Sequence, residues 1–141
     1  MRISQARALA IRTTLCLAVI ACGLGLRADG LGWGLPATIV KYGGSVLWGT
    51  MVFLLVTLAA PRLARPQAIA IAAVIATAVE LSRLVHTPSL DAFRLTLAGA
   101  LLLGRIFSMF DIAAYGVGIL LGAALERLAL RAAERRRLLS E

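Results

Sequence analysis

Val79-Glu80-Leu81-Ser82-Arg83-Leu84-Val85-His86-Thr87-Pro88-Ser89-Leu90-Asp91-Ala92-Phe93-Arg94, then an apolar run, then Ser108-Met109-Phe110-Asp111, is the stretch whose reading decides the fold. It sets Glu80, Arg83, His86, Asp91, Arg94, Arg105 and Asp111 inside an otherwise apolar chain. Away from water, an ionisable side chain needs a partner or a wet cavity. The stretch therefore marks a polar site near one membrane face.

The composition around it is that of an integral membrane protein. Of 141 residues, 60% are hydrophobic and only 16% charged, and the mean hydropathy is +0.89. Soluble domains carry about 25% charged residues. A formal charge of +8 would suit a nucleic-acid partner, but such proteins cluster their basic residues on a water-facing element. Here they stand at the ends of apolar runs, as topology signals do, so the partner is the lipid bilayer and not nucleic acid. Cys16 and Cys22 are six apart in one apolar run and fall on different helix faces, so no intrachain disulfide or metal pair follows from them. His86 has no second His or Cys at ligand spacing, so neither a metal nor a cofactor is indicated.

Working outward, four spans are predicted, at about residues 8–26, 44–60 or 36–60, 67–85 and 109–128. The first follows Arg2, Arg7 and Arg12 and also resembles a secretory signal, with Val19-Ile20-Ala21-Cys22 faintly like a lipoprotein cleavage box. The three later spans favour an uncleaved first helix. The start of the second span decides whether Lys41 lies inside the membrane, since Pro36 can open a helix at no cost in hydrogen bonds. Thr87-Pro88 reads as a cap and first position of a short helix over about 88–104. Its apolar run from Leu95 to Gly104 is too short to cross and is typical of a re-entrant or interfacial helix. The fold expected is thus an all-α membrane protein, a four-helix transmembrane bundle with one such helix between spans three and four, ending in a basic tail at 129–141.

With the N-terminus inside, ten of the fifteen basic residues fall on the cytoplasmic side, and Arg27, Lys41, Arg83, Arg94 and Arg105 fall outside or within the membrane. The bias toward basic cytoplasmic loops places both termini in the cytoplasm and the polar stretch on the opposite face of a bacterial inner membrane.

Within that stretch Glu80 and Arg83 share a helical face and can pair. Glu80 lies roughly 9 Å from the helix end, where it serves either a ligand or proton site or a structural ion pair. Asp91 and Arg94 repeat the spacing after Pro88, where an exposed helix start would also favour them. His86 is either interfacial or a group titrating near neutral pH. Asp111 fits a capping box with Ser108, yet it also heads the stripe Asp111-Tyr115-Gly118-Gly122-Glu126. Gly118-x-x-x-Gly122 permits close helix approach, so that stripe faces protein and turns Asp111 inward. Lys41 is either a snorkelling residue or, if the second span opens at Pro36, a counter-ion for Glu80 or Asp111 on a face shared with Ser45 and Trp48.

The run Val79-Glu80-Leu81-Ser82-x-Leu84-x-His86-x-Pro88-x-Leu90-Asp91-x-x-Arg94, with Gly99-Ala100, Gly104 and Asp111-x-x-Ala114-Tyr115-x-x-Gly118-Ile119-x-x-Gly122, resembles a family of small bacterial membrane proteins catalogued as a domain of unknown function, DUF2809. Lys41-Tyr42-Gly43-Gly44-Ser45-x-Leu47-Trp48 resembles its second-helix motif, so the likeness covers about Lys41 to Glu126. The chain departs from the family pattern at Ser45, Arg83 and Ser89. Glu80, Asp111 and the Gly-rich last helix are also distantly similar to VanZ-like membrane proteins, which are associated with glycopeptide-antibiotic resistance. The first resemblance implies a fold and no activity.

The expectation from the residues is a cell-envelope protein whose short helix roofs an outward-facing cavity lined by Glu80, Arg83, Asp91, Arg94 and Asp111, with Tyr115 on the same stripe and Lys41 at the edge. Basic residues beside carboxylates suit an anionic lipid or glycolipid headgroup. Two other readings stand beside it. Glu80 or Asp111 could act as acid or base on a lipid-linked substrate. Alternatively, the Gly118/Gly122 face could dock a second copy or a membrane partner in a transporter complex.

Overall fold

The structure is a computed structural model that describes residues 4–103 and 107–139; Arg2, Gly104 and Arg105 lie outside the described residues. It is all-α, with helices α1 (Gln5–Asp29), α2 (Ala37–Ala59), α3 (Arg65–Ser82), α4 (Pro88–Arg94), α5 (Leu97–Leu102) and α6 (Met109–Leu138). α1, α2, α3 and α6 are long and apolar enough to cross a membrane. At 30 residues α6 is about 45 Å long, against a hydrocarbon core of about 30 Å. Its last turns, with Arg131, Arg135, Arg136 and Arg137, therefore extend beyond the apolar layer.

α2 is the central helix, packed against α1, α3 and α6. Small residues set its closest approach, which is to α6. A Cβ at Gly49 would lie 2.5 Å from the Tyr115 carbonyl oxygen, and one at Gly118 would overlap the Val46 carbonyl. With the backbones this close, the Thr50 hydroxyl reaches the Gly118 carbonyl at 2.8 Å. Phe53 and Leu54 are fully buried beside them, and Ala68, Ala72 and Ala76 present a smooth buried stripe from α3. Without a hydrophobic driving force between helices in lipid, this small-residue packing and the hydrogen bonds that it allows are what hold spans together.

Pro36 is the N-cap residue of α2, so Lys41 lies on the second turn of that helix. α3 opens with Gln67 reaching back to accept the Ala64 N–H at 3.1 Å. It ends at Ser82, three residues before the end expected from its apolar pattern, and the reason is local. Arg94 folds back so that Nη1 donates to the Val85 carbonyl at 2.9 Å and Nη2 donates to the Ser82 carbonyl. The guanidinium thus adds to the Val85 N–H on the Ser82 carbonyl and supplies a donor to the Val85 carbonyl just past the helix end.

The connector differs from the single short helix expected over 88–104. It forms two helices broken at Leu95 and Thr96. As anticipated, the Thr87 hydroxyl caps α4, accepting from the Leu90 N–H. Thr96 then caps α5 by accepting from the Gly99 N–H at 3.0 Å, while its hydroxyl donates to the Phe93 carbonyl at 2.6 Å. A Cβ at Gly99 would collide with Phe93 and Arg94 backbone, so the tight α4–α5 corner depends on glycine there.

Candidate functional site

α3 and α6 bring Glu80, Arg83, Asp111 and Tyr115 together, and α2 adds Ser45. Glu80 is fully buried and Asp111 is 4% exposed. Arg83 Nη1 stands 2.8 Å from Glu80 Oε2 and 3.2 Å from Asp111 Oδ2, bridging the two carboxylates. Its Nη2 donates to the Tyr115 hydroxyl at 2.9 Å, and that hydroxyl donates onward to Glu80 Oε2 at 2.9 Å. Nε donates to the Leu103 carbonyl at 2.6 Å. The Ser45 hydroxyl lies 3.1 Å from Asp111 Oδ1. Such a planar fork of donors suits a buried two-carboxylate site in a way that an ammonium would not.

Asp111 does not close a capping box with Ser108. The Ser108 side chain makes no cap hydrogen bond, and the Ser108 N–H that a capping carboxylate would take is accepted by Glu80 Oε1 at 2.7 Å. Glu80 thus supplies from α3 the acceptor that the start of α6 needs, leaving Asp111 directed at Ser45 and Arg83. Arg83 and Glu80 together hold both flanks of the last loop, at Leu103 and Ser108.

The remaining site residues expected from the sequence go elsewhere. Arg94, 3% exposed, pairs with Asp91 at 3.0 Å and with the end of α3. Asp91 in turn faces His86, whose Nδ1 is 3.4 Å away on the surface. Among the described residues no ion pair joins Asp91, Arg94 or His86 to the Glu80–Asp111 group, so the charges expected around one cavity form two separate ion groups. Lys41 is exposed, its Nζ 5.1 Å from the Tyr42 ring centroid; the cation that pairs with Glu80 and Asp111 is Arg83. Ala98 and Leu102 of α5 help to line an apolar groove with residues of α1 and α2, while the Leu103 carbonyl just beyond α5 accepts from Arg83.

The helix-packing glycines Gly118 and Gly122 are buried on the stripe with Asp111, Tyr115 and Glu126. Glu126, at 2% exposure, forms a second buried ion group at the other end of the bundle. Arg12 Nε is 2.6 Å from Glu126 Oε1, and Arg65 Nε 3.5 Å from Oε2. Arg12 also donates to the Thr57 carbonyl at 3.2 Å. Arg12 and Arg65 read in sequence as topology signals alone. The burial of the stripe on which Glu126 lies was the available sign that it needed cations from other helices.

Fold and site define a multi-pass helical membrane protein whose spans are joined by buried ion networks at both ends. The chain belongs to the family described as Protein of unknown function (DUF2809), whose model matches residues 34–119. That segment contains Ser45, Glu80, Arg83, Asp111 and Tyr115, and stops short of Glu126. No solved structure matches the chain.

Proposed function

We propose that this is a multi-pass protein of a bacterial cytoplasmic membrane, with both termini cytoplasmic, that binds an anionic lipid or glycolipid headgroup on the opposite face. The orientation rests on Arg7, Arg12, Arg62, Arg65 and the α6 arginines, which gather at one end of the bundle. The binding reading rests on how the cations of the other end divide. Arg83 and Arg94 are consumed by internal partners. Arg27 and Lys41 are exposed and, among the described residues, form no ion pair. Two unneutralised cations at headgroup level attract anionic lipid, each contributing about 1 kcal/mol.

Native mass spectrometry from vesicles of equal phosphatidylglycerol and phosphatidylcholine content tests this. The wild-type protein should retain the anionic lipid preferentially, and the Arg27→Ala/Lys41→Ala double variant should not. Equal retention of the two lipids by wild type would remove the proposal.

A further inference from the structure

An apolar groove runs between α1 and α2 and is flanked by α5. Its walls include Val19 and Gly23 of α1, Leu47 and Trp48 of α2, and Leu102 of α5, with Arg27 closing one end. Its volume is about 290 Å³. From Val19 to Arg27 the helix rises about 12 Å, most of the depth of one leaflet, which is half of a core about 30 Å thick. The groove thus spans from the middle of the bilayer to its headgroup level, and the cation stands at the headgroup end.

From this geometry we infer that the groove is a binding site for one acyl chain of an anionic phospholipid, with its phosphate held by Arg27. This rests on the lipid-binding reading above and assigns it a place. A groove this apolar loses dispersion contacts if it is empty, and an acyl chain supplies them; Arg27 selects which lipid. The guanidinium is available for that role. It makes no ion pair or side-chain hydrogen bond among the described residues, and it lies against Gly44, where a Cβ would come 3.5 Å from its Nε. Trp48 lines the groove, and its ring lies against that of Tyr115 with centroids 4.8 Å apart and planes tilted by 48°, so the occupant lies one aromatic layer away from the Glu80–Arg83–Asp111 network. Arg27 precedes the residues that the family model matches, so the site is assigned to this chain and not to the family.

Trp48 reports occupancy directly. In a Trp33→Phe background it is the sole tryptophan, and lipids brominated near the chain middle quench it on contact. Phosphatidylcholine vesicles would carry increasing fractions of brominated phosphatidylglycerol or brominated phosphatidylcholine. Half-maximal quenching should need ~5-fold less of the anionic lipid, the fold-change equivalent to the ~1 kcal/mol that one cation contributes near a headgroup. Arg27→Ala should abolish the preference and Arg27→Lys should keep it. Gly23→Leu, which projects into the groove, should weaken quenching by both lipids.

Equal quenching by the two lipids, or an unchanged preference in Arg27→Ala, would overturn the inference. So would absence of quenching, the result expected if a second copy or another membrane protein occupied the groove. If native mass spectrometry shows anionic lipid retained while Trp48 shows no preference, the site assignment fails and the broader proposal stands. If no anionic lipid is retained, the broader proposal fails.

Discussion

Arg83 is the residue on which the polar end of the bundle depends. One guanidinium serves Glu80, Asp111, Tyr115 and the Leu103 carbonyl, so truncating it leaves two buried carboxylates without their cation. Removing one partner of a buried pair costs about 3–5 kcal/mol. Arg83→Ala should therefore lower stability by that amount in detergent unfolding, and Arg83→Lys should recover only part, because a point charge cannot bridge both carboxylates and Tyr115. Tyr115→Phe is a milder probe. It deletes one hydroxyl that donates to Glu80 and accepts from Arg83, and should cost about 1–3 kcal/mol. The pairing of Glu80 with Arg83 was legible in the sequence, because three residues on a helix place two side chains on one face. The role of Arg94 was not. Its spacing to Asp91 is the same, but its guanidinium is spent on the Ser82 and Val85 backbone carbonyls at the end of α3, which no side-chain periodicity encodes.

Among the elements, the α2–α6 contact carries the most specific geometry, and the glycines of α6 separate it from general helix propensity. A Cβ at Gly118 meets Val46 and Thr50 backbone, whereas one at Gly116 meets nothing within 4 Å. Gly118→Ala should destabilise the protein by about 1–3 kcal/mol, the usual cost of forcing atoms into a close-packed contact, while Gly116→Ala should be neutral or stabilising. A matched pair of unfolding curves decides this, and equal effects at the two positions would contradict the packing described. The Gly118-x-x-x-Gly122 spacing makes this face legible in the sequence, because small residues one turn apart leave room for a neighbouring backbone. The division of the connector into α4 and α5 was less legible, because Thr96 sits in an apolar run and its capping of Gly99 competes with a helical pattern that otherwise continues.

For the whole molecule, sequence patterning carried the all-α class and four helices fit to cross a membrane, since each needs only length and apolarity. It did not carry which charges meet. Arg12 and Glu126 are joined across 114 positions, and a basic residue before a span reads the same whether it faces headgroups or a buried carboxylate. Glu126→Gln should therefore destabilise the bundle even though the side chain keeps its size and shape. Thermal unfolding should show a loss of about 1–3 kcal/mol, as expected when charge-assisted bonds to Arg12 weaken. The same ambiguity applied at the opposite end, where the cations that looked most like a headgroup site, Arg83 and Arg94, are internal, whereas Lys41, expected only at the edge, and Arg27, which looked incidental, are exposed.

That division is most directly tested by the thermal midpoint in detergent, with and without added phosphatidylglycerol, for wild type, Arg83→Ala and Arg27→Ala. Arg83→Ala should unfold at a lower temperature and keep the full upward shift on adding the anionic lipid. Arg27→Ala should unfold near the wild-type temperature and lose most of that shift. An Arg83→Ala protein that is as stable as wild type but insensitive to the lipid, beside an Arg27→Ala protein that responds normally, would contradict this division of roles.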